Sequence, residues 1–525
     1  GIKEIKEMKQ VFVCSGDFKN MKLNGATSEL LFINPDVNKI YNIKTNFQIK
    51  CSPLHRFFSV NNFSVAEKEA RDLKEGDFVA QAGKINIEGE EQKLPLINVK
   101  RIGKISKEEG QIISKELNKE SITRREICEK VGITPRQFRR VLNQSYSTSI
   151  NVFDKLQDYF SGRLQLQVVP VQSCKHRDLI MPEVMSPQLA QVFGYFLGDG
   201  NFESRGLRFR DERVGVLEIY NLLFKQIFNI NGKITKMKDK NCYTLYINSK
   251  EIRDLFEKMI LSVFDYVGKS EDSVVGGFIR GFVDAEGHID KKRAMITIVQ
   301  KEKQVLRYLQ LFLLRFGIRS TIKFDIGRKK ISVLRIANKD VLDYLQIGFT
   351  AEDKQKRLLE SVKEIKDTYS YEMMPVKRTE LRRLLEECGL KFSKIIKSRP
   401  DTYEWVSRKE LEKAFNSLMD CRISDRQIKQ KIEFIFKLLK SDLRFEKIRE
   451  INIVDNSNKE LFYDFSVPSH ENYVANGFVV HNSTYRMYLR RGKQGSRVAK
   501  LIDSPNLPDN ETIFFLTEAG LVDEV

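Results

Sequence analysis

The chain is 525 residues long and carries 90 Lys and Arg against 71 Asp and Glu, a net charge of +19 with a pI near 9.4. That length implies about three to four domains, and the basic excess favours a polyanionic partner through counterion release. No run of eighteen apolar residues and no secretory signal occur, which excludes a helical membrane protein and implies a soluble, cytoplasmic one with no membrane partner. The seven cysteines include no CxxC pair, so they read as reduced thiols and not as a zinc site or disulfide framework.

From the N-terminus, the chain opens on Gly1-Ile2-Lys3-Glu4-Ile5-Lys6-Glu7-Met8 and reaches a strand-like Val11-Phe12-Val13-Cys14. Thr45 to Ile49 leads into Cys51-Ser52-Pro53-Leu54-His55, and Leu73-Lys74-Glu75-Gly76-Asp77 follows as a turn. Ser121 to Leu142 reads as helix, glycine turn at Gly132, helix, with Arg136, Arg139 and Arg140 near the start of the second helix. That pattern matches a helix-turn-helix whose second helix enters the major groove, or else a basic solvated helix pair.

The central region carries a repeated motif. Phe193-Gly194-Tyr195-Phe196-Leu197-Gly198-Asp199-Gly200 returns 87 positions later as Arg280-Gly281-Phe282-Val283-Asp284-Ala285-Glu286-Gly287. Small residues four apart, Gly194 with Gly198 and Gly281 with Ala285, lie on one helix face and allow close backbone approach. Packing the two helices would bring Asp199 and Glu286 together, and converging carboxylates need a cation such as Mg²⁺. After each copy the chain reads strand, helix, two strands, helix: Leu207-Arg208-Phe209-Arg210 opens the first series and Met295-Ile296-Thr297-Ile298 the second. Residues 186–360 on this basis resemble the LAGLIDADG homing endonucleases. The resemblance implies a pseudo-twofold α/β domain, a double-strand cut in the host gene at the insertion site, and Asp199 and Glu286 as Mg²⁺-binding acids. It also implies DNA contacts from sheet residues such as Arg208 and Arg210. Lys354 matches the catalytic-lysine region, with Lys269 as its first-repeat counterpart, and either is otherwise an ordinary exposed lysine. Asp284 has Leu197 as its counterpart and no shared catalytic role.

Residues 361–440 follow as an accessory helical domain. Phe462-Tyr463-Asp464-Phe465-Ser466-Val467 then precedes a strand-turn-strand that ends in His481-Asn482-Ser483. An Asn side-chain amide can attack its own carbonyl and cut the chain. A neighbouring His can protonate the leaving amine or polarise the carbonyl, and a Ser hydroxyl can accept an acyl group. This segment resembles the C-terminal splice junction of inteins. By the same resemblance Ser52 and His55 contact the upstream scissile peptide, Ser52 standing where the family commonly has Thr, and residues 70–79 match a family turn. Against that family pattern the chain lacks the opening strand and first nucleophile, Cys14 is not that nucleophile, and splicing by the chain as given is not expected.

Residues 483–525 resemble the last segment of archaeal RadA-type recombinases, which would be the downstream extein. No G-x-x-x-x-G-K-[ST] loop occurs, so ATP hydrolysis has no sequence support. The expected architecture is multidomain α+β. A discontinuous all-β intein (Hint) splicing domain comprises 1–105 and 441–482. Between its halves lie a basic helical insertion at 106–185, the endonuclease at 186–360 and the accessory domain at 361–440; the extein tail closes the chain. The endonuclease works as a pseudo-dimeric monomer, and splicing needs no cofactor. A cleavage-inactive DNA-binding remnant, an RNA-splicing maturase and the recombinase itself are the rival readings.

Overall fold

A computed structural model describes residues 11–28, 30–34, 37–95, 102–119, 121–143, 148–160, 167, 169–171, 179–238, 241–363, 365, 372–396, 404–482, 486–492, 496–503, 510–517 and 520–522. Two compact units divide the chain: Gly89–Ala285 with Phe349–Ala351, and the remainder, Gly1–Glu88, Glu286–Gly348 and Glu352–Val525. No described helix is long and apolar enough to cross a membrane. The six described cysteines are free thiols.

The unit Gly89–Ala285 begins with four short helices, Lys107–Lys119, Arg124–Val131, Pro135–Asn143 and Ile150–Tyr159. They close over a small core of their own that includes Ile113, Ile127, Phe138, Val141 and Leu156. The two motif helices follow, Pro187–Asp199 and Asp272–Glu286. Apolar residues surround both, so each has a face to bury against the other. Their backbones approach so closely that a Cβ on Gly194 would meet the Phe278 carbonyl, and one on Gly281 the Gln191 carbonyl. The contact extends one turn earlier than the motif spacing suggests, with Gly277 against the Pro187 carbonyl.

Behind the first motif helix lies a four-stranded antiparallel sheet in the order Gly200–Glu203, Gly206–Asp211, Tyr243–Ile247, Lys233–Lys236. The other unit holds a sheet of the same internal order, Gly287–Asp290, Met295–Gln300, Ile331–Ala337, Thr321–Ile326. Each half therefore has two strands after its motif, where the sequence pattern suggests one. The additional strands are four residues long, and Gly200-Asn201-Phe202-Glu203 has little β character of its own. Pairing with the neighbouring strand makes it extended.

Antiparallel sheets in this second unit join distant parts of the chain. Leu443–Lys447 pairs with Phe78–Ala82, and Phe478–His481 lies between Phe78–Ala82 and Arg56–Asn61. Glu450–Asp455 pairs with Lys39–Lys44, and Phe462–Ser466 with Leu30–Asn34. Phe57, Val79 and Val480 share one apolar core with Val376, Leu381, Leu411 and Ile435. The 372–439 region thus packs into the same core as the strands. It also contains a repeat that the sequence reading does not register: Val376-Lys377-Arg378-Thr379-Glu380-Leu381 matches Val406-Ser407-Arg408-Lys409-Glu410-Leu411. Each copy is a strand entering a helix, and the strands Met373–Lys377 and Trp405–Ser407 pair antiparallel. The Arg378 N–H donates to the Glu404 carbonyl (2.9 Å), and the Arg408 N–H to that of Glu372 (2.7 Å), so the copies grip each other reciprocally.

Glu372 also anchors a charge network. Its carboxylate lies 3.1 Å from Arg444, 3.2 Å from Arg408 and 3.8 Å from Arg319. Arg319 further pairs with Asp340 at 3.2 Å and Glu446 at 3.8 Å. Burial works to raise the Glu372 carboxyl, but the three guanidiniums overcome it and hold the group below the usual range. Removing one partner of a buried network leaves uncompensated charge, typically a loss of ~3–5 kcal/mol. Glu372→Gln should therefore lower the denaturant midpoint of this unit clearly, whereas Lys44→Gln, which breaks the exposed pair with Glu450, should cost less than ~1 kcal/mol of stability and leave the midpoint nearly unchanged.

Candidate functional site

The strand Phe478–His481 pairs with Asn472–Ala475 in the hairpin that sequence alternation suggests. Positive φ at Asn476 and Gly477 makes the turn. Two hydrogen bonds fix the following residue, Asn482: its N–H donates to the Glu471 carbonyl (3.0 Å), and its Nδ2 to the Val467 carbonyl (3.3 Å). His481 Nδ1 lies 2.7 Å from the Asn482 carbonyl oxygen. Both side chains are buried, at 5 % and 4 % exposure, and Asn482 Oδ1 has no hydrogen-bond partner among the described residues. His481 stacks on Phe58, and its Nε2 is 3.7 Å from Glu67. Ser483 lies outside the described residues, as does the opening segment Gly1–Met8.

His55 precedes the strand Arg56–Asn61, and its N–H donates to the Ser52 carbonyl (3.3 Å). Its Nδ1 faces Asp464 at 3.7 Å, and Asp464 accepts a 2.7 Å hydrogen bond from the Tyr473 hydroxyl. Asp464 and Tyr473 are the residues sequence reasoning missed. Asp464 sits inside the quoted Phe-Tyr-Asp-Phe segment, but nothing local links it to a histidine 409 positions away. Burial pushes the His55 imidazole below its ordinary value and His481 adds to this, while Asp464 opposes it. The folded state thus binds fewer protons than the unfolded chain around the ordinary histidine value, roughly 6.5. This contribution to stability is present above that pH and lost as pH falls through the lower folded value. Denaturation followed from pH 7.5 to 5.5 should show this loss, and His55→Gln should flatten the slope.

The two acid-terminated motif helices end at Asp199 and Glu286. Asp284, two residues before Glu286, is fully buried and bonded within the protein. Its carboxylate accepts from the Tyr220 hydroxyl (3.2 Å) and from the Thr350 N–H (3.0 Å). Nearby, Asp211 accepts from Tyr195 (2.6 Å) and Arg213 (2.8 Å), and these bonds outweigh burial and keep it ionised below the usual range. Lys354 is half-buried on the helix Glu352–Lys363, and Lys269 is exposed at the end of Val263–Lys269. Arg208 and Arg210 share one sheet face, opposite the buried Leu207 and Phe209. Across the sheet, Asn201, Arg208, Tyr246 and Lys233 lie in register; in the other sheet the row is His288, Thr297, Arg335 and Thr321. The Nε atoms of Arg208 and Arg335 are buried and have no partner among the described residues, while Arg208 pairs with Glu203 at 2.6 Å through its terminal nitrogen. Arg136, Arg139 and Arg140 are exposed on the helix Pro135–Asn143.

The family model of the intein splicing domain matches residues 1–482, and that of Rad51 matches residues 454–524. Among curated proteins, the chain is 28 % identical over 518 residues to a glutamine–fructose-6-phosphate aminotransferase of Methanocaldococcus jannaschii, covering 92 % of this chain and 44 % of that one. It is 22 % identical to a probable translation initiation factor IF-2 of the same organism, over 87 % of this chain and 42 % of that one. A 48-residue stretch is 50 % identical to the DNA repair and recombination protein RadA of Methanoculleus marisnigri, covering 9 % of this chain and 15 % of that one. The chain thus spans less than half the length of these curated relatives. Among solved structures, the homing endonuclease I-DmoI with DNA and Mn is similar at 22 % identity and a TM-score of 0.26, over 31 % of this chain and 96 % of that one. The N-terminal LAGLIDADG domain of DUF199/WhiA is similar at 18 % identity and a TM-score of 0.25, over 31 % and 80 %.

Proposed function

The chain belongs to the intein splicing domain family, and from that premise we propose that it carries two chemically separate activities: autocatalytic cleavage after Asn482, and site-specific cutting of duplex DNA. The observation that carries the first is the contact between His481 Nδ1 and the Asn482 carbonyl oxygen at 2.7 Å. Asn482 Nδ2 attacks that carbonyl carbon, forming the C–N bond of a succinimide while the bond to the Ser483 nitrogen breaks. One proton passes from Nδ2 to the departing amine. A donor at Nδ1 stabilises charge developing on the carbonyl oxygen, which favours the polarising role over direct protonation of the amine. Before attack the side-chain amide must release the 3.3 Å bond from Nδ2 to the Val467 carbonyl. Ser483 supplies the hydroxyl that takes the upstream acyl group, and Ser52 with His55, held by Asp464 and Tyr473, serves the upstream junction. The strands drawn from both ends of the 1–482 match form the all-β Hint shell around these groups.

For the second activity, Asp199 and Glu286 are the metal-binding acids. Among the described residues no three His, Cys, Asp or Glu side chains converge on one point. Carboxylate oxygens are the donors Mg²⁺ prefers, an ion that keeps several waters and completes its sphere with phosphate oxygens. When bound, the ion activates water and neutralises charge at the scissile phosphate. The chain's own residues position the duplex. The cross-strand rows place the half-buried guanidiniums of Arg208 and Arg335 one on each sheet, and Arg210 adds an exposed cation on the first sheet. Lys354 and Lys269 are the candidates for cations at the cleaved strands. The RadA-like tail is the downstream host segment, and the uninterrupted host gene is the target. Incubating the chain with Mg²⁺ and a duplex spanning that uninterrupted junction should yield a single double-strand cut at the insertion point; a duplex interrupted by the intein gene should remain whole.

A further inference from the structure

The two activities above leave the four-helix module between Lys107 and Tyr159 without an assigned role. Its helices Arg124–Val131 and Pro135–Asn143 are joined by only Gly132, Ile133 and Thr134. The turn is built rather than incidental. Gly132 takes φ +66°, and the Ile133 N–H closes onto the Cys128 carbonyl at 2.9 Å. Thr134 and Gln137 then cap the second helix reciprocally, at 2.7 and 3.2 Å, with Pro135 at its first position. Lys155 donates to the Gly132 carbonyl at 3.1 Å and ties the turn to the last helix. Phe138 and Val141 are buried beneath, which fixes the outward face: Arg136, Arg139, Arg140 and Asn143, all exposed and spaced i, i+3, i+4, i+7.

Charge separates this helix from its neighbours. Lys119 pairs with Glu116 and Arg125 with Glu129 within their own helices, as solvated helices commonly do. From Lys130 to Phe153 there is no acidic residue, so the outward face of Pro135–Asn143 presents three guanidiniums and one amide and contains no carboxylate. Arg is the side chain that meets guanine O6 and N7 with two bonds, and Asn matches adenine N6 and N7. We propose that this helix enters the major groove of duplex DNA and reads base edges, adding a recognition segment to the one taken by the endonuclease repeats. The outward face spans seven residues, about 10 Å, which corresponds to about three base pairs. The inference rests on the DNA-cutting reading above.

The test compares the full chain with Arg136→Ala/Arg139→Ala/Arg140→Ala and with the corresponding Lys triple. Footprints and competition binding are measured on duplex spanning the uninterrupted host junction. All three positions are exposed, and an unchanged thermal midpoint verifies folding. The Ala triple should lose protection over one short block of about three to four base pairs while keeping the rest of the footprint, and bind at least about tenfold more weakly. Base changes inside that block should then cost wild type affinity but leave the Ala triple indifferent. The Lys triple should retain the salt dependence yet lose the base preference, because an ammonium has no bidentate fork. Identical footprints and affinities would overturn the proposal while leaving the endonuclease reading intact. So would a loss spread evenly over all sequences, or preferential binding of an RNA hairpin that the Ala triple abolishes. No footprint for wild type at all would sink both readings.

Discussion

Asn482→Ala should abolish release of the fragment that begins at Ser483, because alanine leaves no amide nitrogen to close the succinimide. The effect is all-or-none in kind: no other side chain lies on the same residue to substitute for the nucleophile. His481→Ala should instead slow release by ~10²–10³-fold, the range for removing one donor to a developing oxyanion. His481→Gln keeps a donor and should release faster than His481→Ala but more slowly than wild type. Replacing Glu67, half-exposed and 3.7 Å from His481, should have a smaller effect than either, since an exposed ion pair contributes little. Intact-mass measurement of the folded chain over time gives all four rates. Full-rate release from Asn482→Ala would show that the bond breaks by another route.

Asp199→Asn and Glu286→Gln should each abolish double-strand cleavage while leaving duplex affinity within a few-fold of wild type. Loss of cutting follows from the loss of a charged metal ligand. Retained affinity follows because phosphate contacts from Lys and Arg supply most of the binding, and neither acid touches that term. Asp284→Asn is the informative contrast. Its carboxylate accepts from Tyr220, Thr350 and Ala351 in a fully buried position, so replacement should lower stability by ~1–3 kcal/mol and reduce cutting only in proportion to the unfolded fraction. Normal cutting of both strands by both single variants at Asp199 and Glu286 would remove them from the metal site.

The division between what the sequence reveals and what it hides follows the range of the interactions. Helix caps, the Gly132 turn and the Asn476-Gly477 hairpin are local, and their residues announce them. The repeat around Asp199 and Glu286 is legible because each copy repeats its own text, and the two sheets with the same strand order answer to it. The intein resemblance, read from the His481-Asn482-Ser483 junction, is borne out by a family match that ends at Asn482. The Glu372 network was not legible, since Arg319, Asp340, Arg408, Arg444 and Glu446 come from segments with no common pattern. Asp464 and Tyr473 behind His55 were missed for the same reason. The second strand of each motif escaped because four residues beginning with glycine carry too little propensity to stand out. The Val-x-Arg-x-Glu-Leu repeat at Val376 and Val406 was available in the text, but 372–439 looked simply helical and basic.

The central claim, that residues up to Asn482 excise themselves from a recombinase by chemistry independent of the nuclease, has one direct measurement. A precursor carrying the host's upstream segment and a Cys or Ser at the first junction is expressed, and the products are weighed intact by mass spectrometry. The account predicts a ligated host protein in which the upstream segment is bonded directly to Ser483, formed equally well with Asp199→Asn and lost with Asn482→Ala. Normally ligated host protein from folded Asn482→Ala precursor, or its loss in folded Asp199→Asn precursor, would contradict it.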